Sequence, residues 1–251
     1  MYNWLIGEMG TEGEYQYQSM HLLTTAIVLL VLAAVVIIGY LHRDNKKLYR
    51  GLLVGICSFQ LAFELIWRLV FLFVKKAPPA ELWPMYPCNL GGILIPVIAL
   101  LDWKKGKKLF YLFGFVGGVL TFALPEDIFC RDVLVFPILK SILQHTGLLM
   151  IPALELACGT YRPTLKDMGW VFAGCMVHVL NCEVIDRLLG LTKDYMFFRS
   201  GLPFVIPGVP QFITLSVFGL LVLALLSFLC DIKGSVAFLK NLGKKKTHPY
   251  S

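Results

Sequence analysis

Seven apolar stretches, 22–41, 51–74, 85–101, 109–124, 133–154, 168–189 and 211–230, succeed one another along the chain with short polar segments between them. Most approach the roughly 20 residues that an α-helix needs to cross the hydrocarbon layer. Backbone polar groups in lipid must be satisfied within the protein, and separate apolar runs of this length achieve that as helices. The predicted fold is therefore all-α: a polytopic membrane helix bundle of about seven transmembrane helices. The third and fourth stretches are short, but their flanks "ELWPMYP" and "DWKKGKK" supply aromatics and lysines suited to a membrane interface. Composition agrees, with 57% hydrophobic residues, 16% charged and a mean hydropathy of +0.72. No internal repeat and no Gly/Ser-rich linker divides the chain, so residues 1–251 read as one integral membrane domain.

The formal charge of +7 would suit a nucleic-acid partner only if the basic residues formed one patch. They do not. When the loops are assigned alternately, 15 of the 23 Lys and Arg residues fall on one side and 6 on the other, while Arg68 and Lys140 remain inside spans. The positive-inside rule then predicts a cytoplasmic C-terminus and an outside N-terminus, with no nucleic acid involved. The first span is too long for a cleavable signal peptide and lacks a basic leader. The runs "KKGKK" and "GKKK" read as solvated faces against anionic headgroups.

Ionisable groups within spans default to functional hypotheses. Gln60, Glu64 and Arg68 recur at i, i+4 and i+8, one helical stripe on which Glu64 and Arg68 can pair. His145 lies mid-span in "LKSILQHTGLLMIP", with Lys140 and Gln144 ahead of it. His178, Cys182 and Asp186 share a stripe in "CMVHVLNCEVIDR", with Asn181 beside them. Given the predicted orientation, Arg68, Cys88, Asn89, Asn181 and Asp186 fall in the outer half of the membrane, and Glu64, His145 and His178 near its midplane. A polar pocket open towards the outer leaflet is expected. Each group also has a plainer reading: Glu64 and Arg68 as a structural ion pair, the histidines as hydrogen-bonded packing groups.

The seven cysteines, Cys57, Cys88, Cys130, Cys158, Cys175, Cys182 and Cys230, lie mostly in spans and do not form a disulfide framework. Cys88 is distinctive. It follows Pro87, a residue that opens helices, so its thiol would meet the positive end of a helix dipole. With a histidine from another span as base, it could act as a nucleophile. Cys175, His178 and Cys182 have a metal-like C-x2-H-x3-C spacing, but no second ligand pair accompanies them and no metal is expected. The glycines of "NLGG" and "GFVGG" suit close helix approach.

These features resemble those of a known family, the bacterial YwaF-like integral membrane proteins with their animal relative transmembrane protein 164. The resemblance rests on "LWPMYPCNL", on "LQHTGLLMIP" and on "YMFF" after the sixth span, in that order across most of the chain. It implies a cofactor-free, membrane-embedded lipid acyltransferase or lipid ester hydrolase in a cell membrane, of bacterial plasma-membrane type, acting on phospholipids or lysophospholipids. A more distant similarity is to the androgen-induced protein family of lipid ester hydrolases. The family's cysteine falls on Cys88 and its histidine on His145. Its "NYM" stands here as Asp194, Tyr195 and Met196, and "IPGVPQF" replaces its "GPW"-like segment. Asn89, Asn181 and Arg68 are candidate oxyanion donors, and Glu64, His178 and Tyr195 complete the candidate pocket. The alternative from another class is a transporter or sensor using Glu64, Arg68, His145 and His178 as a substrate or proton path. A third is a structural membrane protein in which the polar pairs only hold helices together.

Overall fold

The structure, a computed structural model, describes residues 1–125, 128–191, 194–196, 206 and 208–245, with side chains to residue 241. The basic residues Lys193, Arg199 and Lys246, with Phe197 and Phe198 of "YMFF" and Pro207 of "IPGVPQF", lie outside them. The helices in chain order are α1 (Tyr2–Ile6), α2 (Ser19–Leu41), α3 (Lys46–Leu69), α4 (Pro87–Leu100), α5 (Lys104–Ala123), α6 (Phe136–Ala157), α7 (Met168–Leu180), α8 (Asp186–Leu189), α9 (Gln211–Cys230) and α10 (Ile232–Lys245). A π-helical turn, Val70–Val74, prolongs α3, and another, Asn181–Ile185, joins α7 to α8. No β-strand occurs among the described residues.

Each predicted apolar stretch coincides with one of these helices. Four helical segments are long and apolar enough to cross a membrane: Ser19–Leu41, Lys46–Val74, Leu165–Leu189 and Gln211–Cys230. Helix α4 is apolar but has only 14 residues, about 21 Å of rise. Helices α5 and α6 are longer but carry charged residues, of which Lys107, Lys108, Lys140 and Glu155 have partners inside the protein. Helix α5 also begins at Lys104 rather than at the predicted 109. Lys107 turns inward to Glu155 Oε2 at 2.5 Å, and Lys108 reaches Asp167 Oδ1 at 2.6 Å. Half of the "KKGKK" lysines thus hold helices together, which corrects their reading as a purely solvated face.

Helix α6 is the hub, packed against α2, α3, α4 and α5, and most of its side chains are buried. The most apolar helices are the least buried. Helix α2 buries only His21, Val28 and Gly39, and α9 only Thr214, Leu223 and Ser227. In water this arrangement would expose the driving force for folding. In a bilayer it puts the apolar surface against lipid and leaves packing and polar contacts to hold the centre.

Glycines set the closest approaches. A Cβ on Gly92 would stand 2.9 Å from Gln144 Cγ, one on Gly91 3.3 Å from Leu148, and one on Gly118 2.7 Å from Leu149 Cγ. Gly114 is pressed by Ile95 in the same way, whereas Gly117 faces open space. Asn89 meets Lys140, Gly92 meets Gln144 and Gly91 meets Leu148, so α4 and α6 run in the same direction.

Candidate functional site

The stripe on α3 organises the polar centre. Glu64, 5% exposed, accepts from Arg68 Nη2 at 2.9 Å through Oε1 and meets Lys140 Nζ at 3.3 Å through Oε2. Lys140 also donates to Asn89 Oδ1 at 2.9 Å and to Gln144 Oε1, and it lies over the Trp67 ring. An ammonium has three donors, and here three oxygens from three helices receive them. The charge is fixed in place. Arg68 Nη1 donates to the carbonyl of Leu82, which ties α3 to the segment leading into α4.

Cys88 lies in the first turn of α4, half-buried and next in sequence to Asn89, whose side chain accepts from Lys140. His145 lies one position after Gln144 on the parallel helix α6, 5% exposed. Its Nδ1 is 2.7 Å from the carbonyl oxygen of Ser141 and 3.3 Å from the Ser141 hydroxyl. A carbonyl only accepts, so Nδ1 carries the hydrogen and neutral Nε2 holds a lone pair. Among the described residues no hydrogen bond engages that Nε2, and none joins His145 to Cys88. What the two share is the neighbourhood of Lys140, which donates to Asn89 next to Cys88 and to Gln144 next to His145.

The approach to Cys88 is held by the π-helical turn after α7. Asn181 Oδ1 accepts from Trp83 Nε1 at 2.7 Å, and its Nδ2 donates to the carbonyls of Pro84 at 2.8 Å and Met85 at 3.2 Å. Cys182 Sγ donates to the Met85 carbonyl at 3.0 Å. Tyr195 packs edge-on against Tyr86, with ring centroids 4.8 Å apart. Asn181 and Tyr195 therefore grip the chain just ahead of the thiol, and every Asn181 amide atom already has a partner. Asn181→Ala is expected to cost about 1–3 kcal/mol by leaving the Trp83 indole N–H and the Pro84 carbonyl without their partner. The check is hydrogen exchange, which should quicken in residues 83–90 and leave α6 unchanged.

Against known proteins, a family model, that of the TMEM164 family, matches residues 15–229 and so covers every group just described. The chain belongs to the TMEM164 family. No curated protein and no solved structure matches it.

Three further predicted residues of this TMEM164 family member, Cys175, His178 and Cys182, lie on α7 and the π-helical turn that follows it. His178 is enclosed by two α5 rings, stacked on Phe113 at 4.6 Å and edge-on to Phe110 at 5.6 Å, with Nδ1 buried and unpartnered. It makes no hydrogen bond or ion pair to Glu64, Arg68 or His145. Cys175 packs with Leu112, Val171 and Leu223, while Cys182 faces Met85. Among the described residues no three His, Cys, Asp or Glu side chains converge as metal ligands. Two apolar crevices, of about 460 Å³ beside α9 and about 250 Å³ between α2, α5, α6 and α9, are lined by neither Cys88 nor His145.

The sequence reading left two features out of its candidate site. Lys140 and Gln144 stood in the text of the span but not among the site residues, although a lysine inside an apolar run is itself a signal. The second is a buried cluster at the other end of α6. Glu155, fully buried, receives Lys107 Nζ at 2.5 Å and the Tyr111 hydroxyl at 3.0 Å. Lys107 also bonds exposed Asp102 at 2.6 Å, and this contact holds the Asp102 carboxyl below the usual carboxylate range.

Proposed function

We propose that this TMEM164 family member is a membrane-embedded lipid acyltransferase, or a lipid ester hydrolase when water is the acceptor, working through Cys88, His145 and a thioester acyl-enzyme. The supporting observation is the charge balance beside Cys88. Arg68 and Lys140 are in contact with one carboxylate, Glu64, so the group carries one positive charge in excess. A thiolate at Cys88 would add a second anion beside these two cations and one carboxylate. The first turn of α4 adds the positive end of its dipole.

In the reaction, His145 Nε2 takes the Cys88 proton through one intervening water, and the thiolate attacks the ester carbonyl carbon of a phospholipid. The lysolipid oxygen leaves with the proton from His145, and Cys88 carries the acyl group as a thioester. A lysophospholipid hydroxyl, or water, gives its proton to His145 and attacks that thioester; the C–S bond breaks, and the Cys88 sulfur leaves and takes the proton back from His145. On this reading all seven predicted spans cross a cell membrane of the bacterial plasma-membrane type, with the N-terminus outside. Cys88 then lies in the outer half, near the depth of lipid ester carbonyls. The distant similarity to androgen-induced proteins would be one of substrate class. The transporter alternative treats Glu64, Arg68, His145 and His178 as one path, and the isolation of His178 between Phe110 and Phe113 weighs against it.

The test is intact mass spectrometry of detergent-purified protein incubated with mixed phospholipids. An acyl-sized mass gain is expected that neutral hydroxylamine removes, that maps to Cys88 and that Cys88→Ala lacks. A wild-type protein that never gains this mass rules out the thioester mechanism.

A further inference from the structure

We propose that Gln144 Nε2 is the oxyanion donor of this acyl transfer, an inference that rests on the acyltransferase reading above. Gln144 is 2% exposed, and its Nε2 is buried with no hydrogen-bond partner. A buried amide donor left unsatisfied is destabilising in the resting protein, so its retention calls for an acceptor that arrives later. The direction of the amide is not arbitrary. Lys140 only donates, so the Gln144 atom facing it is Oε1, and Nε2 must point the other way.

That other way is towards α4. A Cβ on Gly92 would lie 3.3 Å from Gln144 Nε2, so the amide rests against the Gly92 backbone. Gly92 follows Cys88 by four residues, which puts it on the same face of α4 and about 6 Å further along the axis. A carbonyl carbon bonded to the Cys88 sulfur can then direct its oxygen to within about 3 Å of such a donor. Of the candidates named from the sequence, Asn181 holds the 83–85 segment, the two terminal nitrogens of Arg68 hold Leu82 and Glu64, and Asn89 turns its Oδ1 to Lys140. Gly92 is small for a second reason on this view, because any side chain there would displace the amide.

In the step itself, the thiolate lone pair forms the C–S bond while the carbonyl π electrons move to oxygen, which accepts the Gln144 N–H. When the tetrahedral species collapses, the electrons return, the C–O bond to the lysolipid breaks, and His145 gives that leaving oxygen its proton. Gln144 neither gains nor loses a proton.

The experiment compares acyl-enzyme formation by intact mass spectrometry with alkylation of Cys88 by iodoacetamide, which needs the thiolate but develops no oxyanion. Gln144→Met is expected to slow acylation by about 10²–10³-fold and leave alkylation unchanged. Gly92→Ala keeps every side chain of the site and shifts only the amide, so it is expected to slow acylation by about tenfold, again with unchanged alkylation. It decides the matter if Gln144→Met fails to fold. Wild-type acylation rates in both variants would overturn the assignment, as would acylation and alkylation falling together, which would mean that Gln144 acts through Lys140 on the thiol. Wild-type protein that forms no adduct would instead remove the acyltransferase reading itself.

Discussion

His145→Ala is expected to slow acyl-enzyme formation by about 10²–10⁴-fold, the usual contribution of a positioned general base. The expectation rests on the tautomer. The Ser141 carbonyl 2.7 Å away fixes the hydrogen on Nδ1, so Nε2 is the basic nitrogen, and none of the described residues hydrogen-bonds it. The measurement is the time course of the mass gain in wild type, in His145→Ala and in a double variant with Cys88→Ala. Residues that act as one unit are not additive, so the double variant should be no worse than Cys88→Ala alone. A His145→Ala protein that acylates at the wild-type rate would assign the base elsewhere and leave His145 a packing group.

The second large effect is structural and falls at the opposite end of the same helix. Glu155→Ala is expected to cost about 3–5 kcal/mol, because it strands Lys107 in the interior with only the exposed Asp102 for company. Tyr111 loses its hydroxyl acceptor at the same time. The readout is the thermal midpoint in detergent, together with the fraction that elutes as folded protein. Replacing the pair as Lys107→Met with Glu155→Leu should recover most of the loss, since apolar groups can take the place of a buried ion pair with little penalty. Glu155→Ala melting with the wild type would mean that Lys107 finds another partner or water. The acyl-transfer reading would be untouched either way.

What was legible in the sequence was whatever depends on local periodicity. The apolar runs became helices because their length and composition left few other solutions in lipid, and Glu64 and Arg68 pair because i and i+4 share a face. Long-range partners were not legible. Nothing local tells that Lys140 meets Asn89 from α4 and Glu64 from α3, or that Gln144 turns its oxygen to that lysine. Lys107 looked like an interfacial lysine because its acid, Glu155, lies far along the chain at the end of an apolar run. Asn181 looked like a free donor because a 3.6-residue period does not foresee a π-helical turn, and that wider turn is where Asn181 reaches the 83–85 segment.

Lys140 and Glu155 lie near opposite ends of α6, about 22 Å apart along its axis, and each anchors a charged cluster that recruits neighbouring helices. Pulling α6 out of register would break both clusters at once, so it behaves as a fixed axle. Helices α2 and α9 bury few side chains, and their broad outer faces are simple hydrocarbon. Under the proposed acyl transfer, His145 and Gln144 therefore keep their spacing along this axle whatever lipid lies against the outer helices.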